Sequence, residues 1–222
     1  MENETSFATS FTLGTDAYYG DISDAGKTLI TGFADNIQVT DLTSQKTVSV
    51  IKINGNINDL KLASNGIIFA VTNQDTLCVC DGSNQKEISL KEEGTAVTAF
   101  EGTAFVGTKR GNFLVIELSS GTVKKIIPIS SSKITKLVIG YSKKIVVIGS
   151  SNGLISIFSI GDSLLLNNDL KYHNMPITSI SLYDDDSRCL TAAHERDVHL
   201  WDIDKLKHLE KLESNTDLTR YS

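Results

Sequence analysis

His173, Thr191 and Glu195, with Trp201 close behind, are the residues whose types most readily suggest chemistry. A hydroxyl, an imidazole and a carboxylate are the parts of a hydrolytic triad, in which the base takes the hydroxyl proton and the acid orients the base. The same groups also satisfy one another when buried, because an imidazole or indole N–H removed from water needs a partner. Cys78 and Cys80 form a Cys-x-Cys pair, and on a strand both side chains fall on one face. A metal there would need further ligands, so the pair reads as buried strand thiols. Asp184, Asp185 and Asp186 have no further carboxylates at calcium-loop spacing, and they read as a solvated turn. Asp21, Asp59 and Glu101 are the nearest candidates for the acid pair of a sugar hydrolase, each equally explicable as a turn or rim residue. The four histidines are His173, His194, His199 and His208. His199 is expected to point outward beside Trp201 and His194 to sit in a turn, which leaves no converging zinc set. Gly107-x-x-x-Gly111 and Gly149-x-x-x-Gly153 precede strands, not helices, so neither cradles a phosphate. No Gly-x-Ser-x-Gly nucleophile motif occurs. These residues assign no catalytic group, no metal site and no cofactor.

The elements that must position these residues form a repeat. Five segments alternate and end on a small polar or acidic residue: Ile37-Gln-Val-Thr-Asp41, Leu77-Cys-Val-Cys-Asp81, Phe113-Leu-Val-Ile-Glu117, Ile155-Ser-Ile-Phe-Ser159 and Val198-His-Leu-Trp-Asp202. Their last residues lie 40, 36, 42 and 43 positions apart. An apolar strand and a turn precede each, a further short apolar strand precedes that, and a more charged strand follows. Four strands in a unit of roughly 40 residues are the pattern of a β-propeller blade. Ile145-Val-Val-Ile148 is apolar on both faces, as a strand sandwiched between neighbouring sheets must be. Residues 204–214 carry leucines at spacing three, yet an outer strand is the preferred reading there.

Repeat five is the most complete. It runs His173-Asn-Met-Pro-Ile177, the turn Asp184-Asp-Asp186, Leu190-Thr-Ala-Ala193, His194-Glu195-Arg-Asp197 and Val198-His-Leu-Trp201-Asp202. Along its whole length it resembles a WD40 repeat. The resemblance implies an all-β propeller of four-stranded blades and a buried hydrogen-bonded chain through His173, Thr191, Glu195 and Trp201, with Glu195 standing where the family usually has aspartate. In that context the structural reading displaces the triad. The other four repeats lack the histidine and the tryptophan, and their turns carry Asp35, Asp75, Arg110 and Asn152. The repeats fall at about 12–53, 54–91, 92–130, 131–171 and 172–213. Residues 1–11 lead in, with Phe7, Phe11 and Leu13 able to supply an extra outer strand, and 214–222 form a polar tail.

A narrower resemblance rests on Gly66-Ile-Ile-Phe-Ala-Val-Thr-Asn-Gln-Asp75, Val106-Gly-Thr-Lys-Arg-Gly111, Ser119-Ser-Gly-Thr-Val123 and Ile148-Gly-Ser-Ser-Asn-Gly153. Together they are similar to part of the second propeller of the actin-interacting WD-repeat proteins. Those proteins join two propellers, bind cofilin-decorated actin filaments and promote their disassembly. The resemblance therefore implies actin and cofilin as partners and a cytoplasmic, cytoskeletal location. The alternatives are a WD40 scaffold subunit of another cytosolic complex and a propeller glycoside hydrolase.

Composition sets the remaining bounds. Of 222 residues, 40% are hydrophobic and 22% charged, ordinary for a globular protein. The net charge of -6 offers no basic field for nucleic acid or anionic lipid, so proteins are the expected partners. Three cysteines make no disulfide framework and fit a reducing compartment. Residues 1–10 lack the basic start and apolar run of a signal peptide, and no apolar run approaches the ~18 residues of a membrane span. Among the basic pairs, Lys109-Arg110 sits in a hairpin turn and is the candidate contact for an acidic partner. Five blades are fewer than the seven usual for WD40 rings. A larger propeller of which this is part, a five-bladed ring, and completion by another chain all remain open.

Overall fold

Period-two alternation and a high content of β-branched residues favour strands throughout, and the described residues contain no helix. The computed structural model describes residues 17–212 apart from 24, 162–164 and 196. The extra strand expected within residues 6–13 and the tail at 214–222 lie outside the described residues.

Among the described residues, twenty strands form five antiparallel sheets of four. The first sheet holds β1 (Tyr19–Ile22), β2 (Thr28–Phe33), β3 (Asn36–Asp41) and β4 (Lys46–Lys52). The second holds β5 (Ile57–Leu62), β6 (Ile68–Thr72), β7 (Thr76–Asp81) and β8 (Asn84–Ser89). The third holds β9 (Gly94–Phe100), β10 (Thr103–Thr108), β11 (Asn112–Glu117) and β12 (Thr122–Pro128). The fourth holds β13 (Ile134–Gly140), β14 (Ile145–Ser150), β15 (Leu154–Ser159) and β16 (Leu165–Lys171). The fifth holds β17 (Ile177–Tyr183), β18 (Arg188–Ala193), β19 (Val198–Asp202) and β20 (Lys207–Leu212). Strand order within every sheet is sequence order.

Each sheet packs on the next chiefly through its first strand, β1 on β5, β5 on β9, β9 on β13 and β13 on β17. Four apolar cores result, one at each successive interface. Burial follows this stacking. β6 and β14 are buried at every residue, whereas the outer strand β4 is almost wholly exposed. Between the third and fourth sheets Phe113 links the two, with Phe105 stacked on it at 5.6 Å and Phe158 tilted against it at 5.6 Å. A register shift recurs where the third strand meets the outer one, at Val39/Thr40, Val115/Ile116, Ile157/Phe158 and Leu200/Trp201. Such bulges add twist at a sheet edge. The arrangement is that of propeller blades around an axis. Among the described residues the ring is not closed, so the first and fifth sheets each turn one face away from the stack.

Candidate functional site

The four residues singled out in repeat five meet at the interface between the fourth and fifth sheets. His173 lies in the connection before β17, Thr191 on β18, Glu195 in the turn after β18 and Trp201 on β19. Trp201 Nε1 donates to Thr191 Oγ1 at 2.8 Å. His173 Nε2 lies 2.9 Å from Thr191 Oγ1, and His173 Nδ1 lies 2.8 Å from Glu195 Oε1. A carboxylate only accepts, so His173 Nδ1 carries the proton and donates to Glu195. Nε2 then accepts from the Thr191 hydroxyl, which itself accepts from the indole. Thr191 Oγ1 thereby both accepts and donates, and each ring nitrogen in the run has one partner. His173 is 0% exposed. Glu195 also accepts from the Asn174 N–H at 3.2 Å, tying the connection before β17 to the turn after β18. The hydroxyl proton is committed and Thr191 is 1% exposed, so the arrangement holds a blade together and does not present a nucleophile.

Two of the candidate acids of the inner strands, Asp21 and Asp59, are engaged with the next sheet. Asp21 Oδ2 accepts from the Leu62 N–H at 2.8 Å and meets Lys61 Nζ at 2.9 Å. Asp59 Oδ2 accepts from the Val97 N–H at 2.9 Å. Each carboxylate thus clasps the first strand of its own sheet to that of the next. Glu101 sits in the turn between β9 and β10 at φ 43. Neutral side chains do the same service further on. Thr95 Oγ1 donates to Ile134 O at 2.6 Å, and Asn58 Nδ2 donates to Gly94 O at 2.9 Å.

Burial pushes the Asp59 carboxyl above its usual value, against the opposing pull of the Val97 N–H, Lys136 and Lys61. A raised folded value means that the folded chain holds the proton more tightly than the unfolded chain. Stability from this group is therefore present at low pH and is lost as pH rises through the folded value. Asp59→Asn keeps an acceptor for Val97 and removes the charge. It is expected to be neutral or stabilising at pH 7, with an advantage over the native chain that shrinks as the pH is lowered. Asp59→Ala leaves the Val97 N–H without its acceptor and is expected to lose about 1–3 kcal/mol. Urea unfolding at several pH values measures both.

The other candidates are placed separately. Lys109, in the turn between β10 and β11, pairs with Glu93 at 2.7 Å, and Arg110 beside it is exposed in the same turn. Asp186 Oδ2 accepts from the Ser142 N–H at 2.7 Å, so one residue of the acidic triplet links the turns of the fourth and fifth sheets. Lys143 pairs with Asp204 at 2.6 Å. Cys78 and Cys80 share a buried face with sulfurs 3.6 Å apart, and the hydrogen bond to Cys80 together with burial pushes the Cys78 thiol up. Burial alone pushes Cys189 up to about 12. Among the described residues no group of three or more His, Cys, Asp or Glu could hold a metal ion. One expectation is corrected. His199 does not point outward; it is 6% exposed and its ring lies 6.1 Å from that of Trp201, because residues two apart on a strand share a face.

Sequence reasoning missed a row of apolar residues at the turns between first and second strands. Ile22, Phe100 and Tyr183 end β1, β9 and β17, and Tyr141 directly follows β13. These turns adjoin from sheet to sheet. A groove of about 530 Å³ between the second and third sheets is lined by Ala63, Ile67, Phe69, Ala99, Phe100 and Tyr141. Phe100 and Tyr141 pack with ring centroids 5.8 Å apart. Tyr141 is 54% exposed and Tyr183 43%. The available signal was their recurrence at the repeat interval just ahead of a polar turn.

No protein-family model matches the sequence, and no curated protein matches it. Solved structures do. The Cps50 (Swd1) β-propeller domain of Myceliophteria thermophila superposes with a TM-score of 0.78 at 13% identity, over 90% of this chain and 73% of that one. The computationally designed Ika8 protein superposes with a TM-score of 0.73 at 19% identity, over 87% of this chain and 60% of the design. At these identities the likeness is one of fold, and with the five stacked four-stranded sheets it establishes the chain as a β-propeller whose blades do not close the ring.

Proposed function

We propose that the chain is a non-enzymatic scaffold that binds other proteins on the face carrying the turns between first and second strands, and that its partners are actin filaments and cofilin. The observation that carries the scaffold reading is the exposure of Tyr141 at the groove that Phe100 also lines, with Tyr183 exposed at the corresponding turn of the fifth sheet. Large aromatics standing in water next to an apolar groove are the composition of a contact surface. The polar groups that resemble catalytic parts are occupied in joining strands. The naming of actin and cofilin rests on the sequence resemblance of residues 66–77, 106–111 and 148–153 to the second propeller of the actin-interacting WD-repeat proteins.

Co-sedimentation with actin filaments, with and without cofilin, is the test. The expected result is that the chain pellets with cofilin-decorated filaments and that Tyr141→Ser with Tyr183→Ser weakens this by about tenfold or more, the effect of removing one or two contact anchors. Failure to pellet under both conditions removes actin and cofilin as partners. Pelleting that is indifferent to the two tyrosines moves the contact to another face.

A further inference from the structure

Sheet five and the connection leading into it carry a cluster of rings, Tyr172, His173, His199, Trp201 and His208. Within it His199 Nδ1 on β19 and His208 Nε2 on the outer strand β20 are 2.7 Å apart. That is a hydrogen bond between two imidazoles, and one proton lies between the two nitrogens. We infer that the His199–His208 pair is a proton-operated clasp on the outer strand of the last sheet, one that survives a first added proton and opens on the second.

The reasoning is a count of hydrogens. With both rings neutral, one nitrogen donates and the other accepts. With one ring protonated, the donor is an imidazolium and the acceptor is still a bare nitrogen, so the bridge persists and strengthens. With both protonated, two N–H groups face each other across 2.7 Å and the bridge is lost. The surroundings resist even the first charge at His199. Burial pushes its pKa below the usual value, and His173, His208 and Lys211 add to the effect while Asp197 opposes it.

The groups facing the pair come from several elements. His173, packed edge-on to His199 at 4.5 Å, and Tyr172, stacked on His208 at 4.5 Å, come from the connection before β17. Asp197 and Glu195 come from the connection before β19, and Lys211 on β20 pairs with Asp197 at 2.8 Å. Glu195 is engaged with His173. A folded value below the unfolded one means that stability from His199 is full above its usual pKa of ~6.5 and is lost as pH falls below it. What lets go is β20, whose His208 also caps Trp201 edge-on at 5.0 Å. Acid would thereby loosen the outer strand of the last blade without touching its inner strands.

Hydrogen exchange of β20 as a function of pH tests the clasp, with β12 as the reference outer strand because it carries no histidine. After correction for the intrinsic rate, protection of β20 relative to β12 is expected to fall about tenfold per pH unit below the lower of the pair's two constants, the dependence of an opening that takes up one proton. Emission from Trp201, the sole tryptophan, should change over the same range. His208→Gln should abolish both effects, since an amide can donate to a neutral His199 or accept from a protonated one. Equal acid sensitivity in His208→Gln, equal loss of protection in β12, or an unchanged native β20 would each overturn the proposal. If the variant does not fold, an NMR titration of the native imidazoles decides. Two constants separated by more than about one unit support a shared proton, and coincident constants refute it. None of these outcomes depends on which proteins the scaffold binds.

Discussion

Trp201→Ala is expected to lower stability by about 3–5 kcal/mol, the range for deleting a fully buried large aromatic side chain. The indole is 1% exposed in the core between the fourth and fifth sheets and meets Tyr172 edge-on at 5.2 Å. Two separable losses make up the effect, the apolar volume and the donor to Thr191. Trp201→Phe isolates the second and should cost about 1–2 kcal/mol, since the Thr191 oxygen loses its charge-neutral donor in a dry site. His173→Ala removes the link between Thr191 and Glu195, taking the acceptor from the Thr191 hydroxyl and leaving Glu195 to the Asn174 N–H. Because Thr191 joins the indole to the imidazole, Trp201→Phe and His173→Ala should not be additive, with a coupling of about 0.5–3 kcal/mol. Blades stack only on neighbours, so stability is a sum of near-neighbour terms. The fifth sheet has one neighbour, and Trp201→Ala should therefore release the amides of β17–β20 before those of the first three sheets. Uniform loss of protection along the whole chain would show that the run does not belong to the last blade alone.

What could be read from the sequence, and what could not, divides along a physical line. Strand positions and the repeat of four strands follow from local alternation, which is a property of consecutive residues. The run through His173, Thr191, Glu195 and Trp201 falls within a span of 29 positions whose resemblance to a known repeat places them together. The roles of Asp21 and Asp59 were not legible, because their partners Leu62 and Val97 lie 41 and 38 residues on, in the next sheet. The ion pair of Lys109 with Glu93, 16 residues back at the start of the same sheet, was hidden because nothing local says which strand end a turn lysine will reach. His199 was legible and misread: its spacing of two from Trp201 already fixed its face. The clasp to His208 needed the register of β19 on β20, where a bulge between Leu200 and Trp201 brings His208 opposite Trp201.

Gly107→Val is expected to cost about 3 kcal/mol, at the upper end for overpacking a filled interior, and Ile134→Gly is expected to recover part of that loss. The reason is a rule of sizes that recurs at each interface between sheets. Gly32, Gly107 and Gly149, on the second strands of the first, third and fourth sheets, each leave room for an isoleucine that opens the first strand of the next sheet. A Cβ on Gly107 would lie 2.7 Å from Ile134 Cβ, one on Gly149 2.9 Å from Ile177 Cβ, and one on Gly32 3.2 Å from Ile57 Cδ1. None of the three requires a positive φ, so the constraint is space and not backbone conformation. At the remaining interface the sizes are exchanged. Val71 stands on the second strand, and Gly94 on the facing strand takes the gap, with its would-be Cβ 2.9 Å from Val71. Each interface thus holds one large and one small residue across the gap, and which sheet supplies the large one is immaterial to the volume. Exchanging Gly107 and Ile134 for Val and Gly copies the Val71–Gly94 arrangement into the next interface. Urea unfolding of the two single variants and the double variant measures the coupling. A double variant no more stable than Gly107→Val would mean that the glycine serves β10 itself and not its neighbour. Recovery of about 1 kcal/mol or more, within the range for residues in contact, would establish that blade spacing is set by this pairwise volume.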